Sequence, residues 1–318
     1  MAITGTDINV AKEFLLKGEL VAIPTETVYG LAGNALNYSA VLSIFEVKNR
    51  PAFDPLIIHT DSLEKVQRYV SDFPEKALLL AKHFWPGPLT LLLPKKQTIP
   101  DLVTSGLDSV AVRIPNHPLL LGLLQTIPFP LAAPSANPFG YISPTNAAHV
   151  NAQLGEKIPY ILDGGESEVG IESTIVGFEN DEPVVYRLGG LAVEEIEAIV
   201  GKVRLMPHSS SNPKAPGMLK SHYAPRKPLY LDQRETFPEI EEKLTGYLLF
   251  NQYLENIDPQ YQRILSKNGD MKEAAHNLFA YLRELDILPI QQIRAEFVPM
   301  TGLGLAINDR LQRAAAKE

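Results

Sequence analysis

The stretch Pro24-Thr25-Glu26-Thr27-Val28-Tyr29-Gly30-Leu31 packs two hydroxyls, a carboxylate, a phenol and a glycine into eight residues. It follows the apolar run 20–23, which stops at Pro24 and suits a strand. A polar loop at a strand end is the usual ligand edge of an open sheet. The same composition also makes a turn capped by threonines, and both readings stand on these eight residues alone.

Working outward, residues 7–16 read as an amphipathic helix that Gly18 is placed to end. Residues 39–47, 74–84 and 118–124 are helical in pattern. Strand patterns fall at 56–58, 89–93, 110–114, 131–133, 158–162, 173–176 and 184–188. So many strands among helices predict an α/β domain on a mixed sheet. Residues 206–228 carry Ser209-Ser210-Ser211 and several prolines without periodicity, which is linker composition. Beyond it, strand patterns at 229–231, 247–250 and 293–298 alternate with helices at 274–285 and 303–315. These predict a small parallel α/β domain. Two domains also suit a chain of 318 residues.

Composition narrows the chemistry. There is no cysteine, so disulfides, thiolate zinc sites and cysteine nucleophiles are excluded. The formal net charge of −8 counts against a whole-surface nucleic-acid binder, while leaving room for a local basic cleft. The N-terminus lacks the pattern of a signal peptide, and no apolar run approaches the roughly 20 residues of a membrane helix. A cytoplasmic location is the expectation.

Two further segments carry candidate chemistry. Lys48-Asn49-Arg50-Pro51 ends a helix with two cations, which suits a phosphate clamp and equally a helix C-terminus. Ala133-Pro134-Ser135-Ala136-Asn137-Pro138, with Ser143-Pro144-Thr145 soon after, offers short polar groups beside backbone N–H groups. That is a phosphate or ribose contact, or an ordinary loop.

Taken together and in this order, PTETVYGL, KxR and SxN resemble the Sua5/YrdC family. Val112-Arg113-Ile114-Pro115, Glu172-Ser173-Thr174-Ile175 and Tyr186-Arg187-Leu188-Gly189 are similar to that family's VRxP, ESTI and RxG segments. Pro216-Gly217-Met218 and His222-Tyr223-Ala224-Pro225 resemble the linker of its longer, two-domain members. The resemblance spans the chain and is weakest after Leu229. It implies a YrdC-like domain over 1–203, built on a twisted mixed sheet with flanking helices. A linker or lid over the active site follows at 204–227, and a smaller Rossmann-like C-terminal α/β domain at 228–318.

The resemblance further implies synthesis of threonylcarbamoyl-adenylate from L-threonine, bicarbonate or CO2, and ATP. Pyrophosphate leaves, and downstream threonylcarbamoyl-transfer proteins modify tRNA. Carried over by motif position, Thr27, His59, Arg113, Ala133 through its backbone, and Ser173 surround threonine, Arg113 facing its carboxylate. Arg50, Ser109, Ser135, Ser143, Arg187 and Tyr223 surround the nucleotide, with Asn137 completing the SxN pair. Lys48 and Arg50 are the expected catalytic cations. Mg2+ is expected to arrive with ATP. Asp54 departs from the asparagine usual in the family; it is expected either as a nucleotide contact bridged by magnesium or as a displaced side chain.

Two other readings compete. A non-catalytic RNA-binding module has no use for a threonine pocket. A hydrogenase-maturation carbamoyltransferase needs Cys-rich zinc segments that a chain without cysteine lacks. The segment Thr301-Gly302-Leu303-Gly304 before the last helix is read as a cap with close helix–sheet packing.

Overall fold

The structure, a computed structural model, describes residues 1–206, 215–218, 221–237 and 244–316. The linker's serines Ser209 to Ser211 lie outside the described residues.

The stretch Pro24 to Tyr29 is the loop of an antiparallel pair. Strand Val21–Ile23 leads into it, and strand Gly30–Asn34 leads out, Ile23 facing Gly30. The second strand carries two glycines in five residues and reads as loop in the sequence. Gly30 is there because the segment Ala133 to Ser135 passes against it: a Cβ would sit 3.2 Å from the Cβ of Ala133. The backbones bond at that crossing, Leu31 N–H donating to Pro134 (2.7 Å) and Ala136 N–H to Tyr29 (2.8 Å). The first and third motifs are thereby laid side by side.

The main sheet has eleven strands among the described residues. In spatial order they are Ile3–Gly5, Tyr160–Leu162, Val21–Ile23, Gly30–Asn34, Leu131–Ala132, Ile57–His59, Ser109–Arg113, Leu89–Pro94, Thr174–Glu179, Glu182–Arg187 and Arg204–Leu205. Parallel and antiparallel pairs mix, as expected for the class. Arg204–Leu205 pairs with Val184 and Val185, so the sheet runs two residues into the segment expected to be linker. Two exposed residues carry no periodicity from which such a strand could be read.

The period of two sorts side chains between faces. Leu56, Ile58, Val110, Val112 and Val176 enter the principal core on one face. Ile57, Ala111 and Ile175 face the other way and meet Ala215 and Met218 of the linker. A bulge then resets the pattern: Val185 faces Val176, but Arg187 faces Ile175, leaving Tyr186 as the extra residue. A bulge re-aims the side chains that follow it. Here it brings Arg187 to the linker side, beside Tyr186.

Helix Tyr38–Lys48 starts on Asn37, whose side chain accepts from the Ser39 and Ala40 N–H groups. It ends on Asn49 in the left-handed region, φ 53°. That cap fixes where Lys48 and Arg50 leave the helix.

The C-terminal sheet is parallel throughout, in the order Leu229–Asp232, Gln292–Glu296, Thr245–Leu249, Gln262–Ile264. Helices Met271–Ile287 and Gly304–Ala315 accompany it. Both reach the first domain. Arg283 Nε donates to the Ser143 carbonyl (3.2 Å), Tyr141 Oη to Asp286 (2.6 Å), and Arg310 Nε to Glu172 (3.1 Å). The principal core runs continuously from Val112 and Ile142 to Phe279 and Ile307.

Gly189 turns against the strand entry at Ser173, where a Cβ would lie 2.4 Å from backbone atoms of Glu172 and Ser173. Backbone cannot yield as a flexible side chain can, so Gly189→Ala is expected to cost about 1–3 kcal/mol. A lowered urea midpoint at unchanged m-value would show it; a wild-type midpoint would mean the turn relaxes freely.

Candidate active site

Ile57 and His59 lie on one face of their strand, as do Ala111 and Arg113 of the neighbouring parallel strand, where His59 and Arg113 are register partners. Ser173 and Arg187 join them across the next antiparallel pair, and the Pro24 to Tyr29 loop closes one side. The linker residues Pro216, Gly217, His222 and Tyr223 form the roof. The result is one cavity of about 50 Å3 lined also by Arg50, Ala133, Ser135 and Glu172.

Its polar groups are tightly cross-bonded. Arg113 Nη1 donates to Thr27 Oγ1 (2.8 Å), and Nε to the Gly87 carbonyl (3.2 Å). Nη2 lies 2.7 Å from Glu26, an ion contact without the alignment of a hydrogen bond. The Thr25 and Thr27 hydroxyls are 2.7 Å apart. Ser173 Oγ lies 2.7 Å from Thr90 Oγ1 and accepts from Arg187 Nη2 (2.9 Å). Arg50 Nε and Nη2 donate to the carbonyls of Asp54 (3.0 Å) and Pro55 (2.8 Å), and Nη2 pairs with the Asp54 carboxylate at 2.9 Å.

Burial decides the charge states. It draws Arg187 down to about 10, still charged at neutral pH. Burial, then the Arg113 cation, pulls His59 down to about 3, so its imidazole is neutral. Burial pushes the Tyr223 phenol up, Glu172 adding to it. Burial also pushes the Asp54 carboxyl up, against the pull of Arg50. Of the charged residues that line the cavity, Arg50, Arg113 and Arg187 stand against Glu172. That local cationic excess suits a polyanionic ligand, in a chain of net charge −8.

Of the residues expected at the site, Thr27, Arg50, His59, Arg113, Ala133, Ser135, Ser173, Arg187 and Tyr223 line the cavity. Five stand behind or beside its wall. Lys48, expected as a catalytic cation, donates from Nζ to the carbonyls of Ser135 and Asn137, each at 2.5 Å. Burial and the nearby Arg50 pull that ammonium well below the ordinary lysine range. Lys48 thus ties the KxR helix to the SxN loop. Asn137 donates to the carbonyls of Pro138 (3.0 Å) and Tyr141 (2.7 Å), shaping the same loop. Ser143 donates to Glu172 (2.6 Å). Asp54 is spent on Arg50, and Ser109 begins its strand away from the lining.

Sequence reasoning assigned no role to Glu172, Thr25 or His222, all of which line the cavity. Each sits inside a quoted motif, Glu172 beside Ser173, His222 beside Tyr223 and Thr25 two residues before Thr27. Nor was there any pointer to Arg310.

Acidification should weaken the fold through the buried imidazoles. The folded-state value of His59, about 3, lies below the ordinary imidazole value of 6.5, so the folded state binds fewer protons between them. Its contribution is complete above about pH 6.5 and is lost as pH falls, at up to about 1.4 kcal/mol per pH unit. Burial draws His149 to about 4 and His222 well below its ordinary value, and both act in the same direction. Urea unfolding at pH 7.5 and 5 should show this loss, and His59→Gln should flatten it. An equal pH slope in that variant would mean His59 is protonated in the folded protein.

The comparisons agree over the whole chain. The family model Sua5_yciO_yrdC, described as "Telomere recombination", matches residues 13–189. A second, the threonylcarbamoyl-AMP synthase C-terminal domain, matches residues 191–316. A threonylcarbamoyl-AMP synthase of Pyrococcus abyssi is 43% identical, covering 97% of this chain and 94% of its own. One of Bacillus subtilis is 39% identical, covering 97% and 92%. The crystal structure of P. abyssi Sua5 complexed with L-threonine superposes with a TM-score of 0.91 at 42% identity, over 99% of this chain and 97% of that one. With its motifs on one cavity and both domain models matched end to end, the chain belongs to the Sua5/YrdC family.

Proposed function

We propose that this chain is a threonylcarbamoyl-AMP synthase, a nucleotidyltransferase serving the N6-threonylcarbamoyladenosine modification of tRNA. The observation that carries this reading is the meeting of Thr27, His59, Arg113, Ala133 and Ser173 with Arg50, Ser135, Arg187 and Tyr223 around one cavity. The whole-length similarity to threonylcarbamoyl-AMP synthases supports it.

In this reading, the threonine amine forms an N–C bond with CO2, losing a proton, to give a carbamate. A carbamate oxygen then bonds to the α-phosphorus of ATP, and the bond from that phosphorus to the bridging oxygen of pyrophosphate breaks. Arg113 holds the amino-acid carboxylate, its Nη2 being without an aligned hydrogen bond. Neutral His59 packs beside it without adding charge. Arg50 and Arg187 offset the charge of the phosphates. No covalent enzyme intermediate is needed, so catalysis rests on positioning and charge.

In this reading Mg2+ arrives with ATP and is held by the nucleotide. Among the described residues no three His, Asp or Glu gather as a cage, and Asp54 is already held by Arg50. When bound, the ion would supply further positive charge for the phosphates, beside Arg50 and Arg187. The linker closes the site as a lid in this reading: a cavity of about 50 Å3 is far below the ~300–1,000 Å3 of small-molecule sites. Pro216 and Gly217 therefore move aside for ATP to enter, while Tyr223 stays against Phe279. No helix among the described residues is long and apolar enough to cross a membrane. We place the protein in the cytoplasm, passing its product to threonylcarbamoyl-transfer proteins.

Pyrophosphate release from ATP and bicarbonate should depend on L-threonine. Arg113→Ala is expected to raise KM for threonine by about 10–100-fold, the loss of one charged hydrogen-bonding partner. Arg50→Ala is expected to lower kcat by about 100-fold or more. Absence of any threonine-dependent release, from folded protein with magnesium and bicarbonate present, would move the reading to a non-catalytic RNA-binding module.

A further inference from the structure

Helix Gly304–Ala315 buries three charged residues, Asp309, Arg310 and Arg313. Arg313 Nε bonds within the helix, to Asp309 at 3.0 Å. Arg310 instead leaves its domain. Its Nε donates to Glu172 Oε2 (3.1 Å), its Nη1 to Asp309 (2.8 Å), and its guanidinium lies 5.2 Å from the centre of the Tyr223 ring. Its Nη2 has no hydrogen-bond partner among the described residues, although the side chain is 1% exposed.

Both groups that Arg310 touches across the domain boundary line the cavity. Glu172 accepts from Arg310 on one oxygen and from Ser143 on the other (2.6 Å). Tyr223 holds a left-handed backbone, φ 65°, which an aromatic residue adopts only when its surroundings impose it. The C-terminal domain supplies part of those surroundings: Phe279 stacks on one side at 5.4 Å and Arg310 adds a cation, while the linker's own His222 meets the ring edge-on at 4.1 Å. Replacing a buried ion pair by apolar packing is often neutral or stabilising, so stability alone gives little reason for this arginine.

We propose that Arg310 is a positioning residue of the adenylation site, through which the docked C-terminal domain sets Glu172 and Tyr223 for the nucleotide. It does not itself line the cavity. It holds the carboxylate away from the incoming phosphates and keeps the phenol at the roof. This inference rests on the functional reading above and gives the C-terminal domain a part in the reaction.

Steady-state pyrophosphate release by the full-length chain tests it, with ATP and threonine varied separately. Arg310→Met keeps the stem and removes the fork. We expect KM for ATP to rise tenfold or more, with KM for threonine within twofold of wild type. Arg310→Lys keeps a charge for Glu172 but loses the plane over Tyr223, and should raise KM for ATP about threefold. A purely structural arginine would instead lower the melting temperature and the active fraction, leaving both KM values alone. Wild-type KM for ATP in folded Arg310→Met overturns the proposal. If that variant does not fold, a wild-type KM in Arg310→Lys overturns it. A wild-type protein that ignores threonine overturns the functional reading and this one with it, whereas wild-type kinetics in the variants overturn this one alone.

Discussion

Burying several guanidinium groups under one roof is the constraint on which this structure depends. An isolated charge taken from water is costly unless it is paired and hydrogen-bonded. Arg50 meets this with two carbonyls and Asp54; Arg113 with Thr27, the Gly87 carbonyl and Glu26; Arg187 with Ser173. Arg50 is met within its own segment, four and five residues along the chain. Arg113 and Arg187 instead reach the PTETVYGL loop and the ESTI segment, so these two tie together stretches distant in sequence and organise the site before any ligand enters it.

Lys48 extends the same logic. Its ammonium bonds two backbone carbonyls of the Ser135 to Asn137 segment, while Gly30 lets that segment lie against the first motif. Three motifs are thus joined by one lysine and one glycine. The bulge at Tyr186 contributes the fourth, turning Arg187 toward the linker side of the sheet. That the site sits on a sheet face, with the linker over it, follows from this alternation. A strand-end edge, the first expectation for the PTETVYGL loop, describes only its margin.

The C-terminal domain is part of the same unit. Its two helices hold the Ile142–Ser143 backbone, Glu172 and the Tyr223 ring, and the principal core crosses the boundary without a break. Domains joined by a large, apolar interface have little freedom of relative motion. Motion that admits a ligand is accordingly expected in the linker rather than between the domains.

Much of this was determined by sequence alone. The strand patterns at 56–58, 89–93 and 110–114 match strands Ile57–His59, Leu89–Pro94 and Ser109–Arg113 to within a residue, and the proline-rich stretch after 206 separated two α/β regions. The motif order was enough to gather nine residues that line the cavity. Tertiary structure decided the rest, because the deciding forces act between segments. Gly30–Asn34 becomes a strand only because Val21–Ile23 and Leu131–Ala132 flank it; its own glycines argue otherwise. Lys48 turns from the cavity because two carbonyls over 80 residues away satisfy its buried ammonium. Arg310, lying in an ordinary amphipathic helix, reaches the site because docking brings its guanidinium to Glu172, 138 residues earlier in the chain.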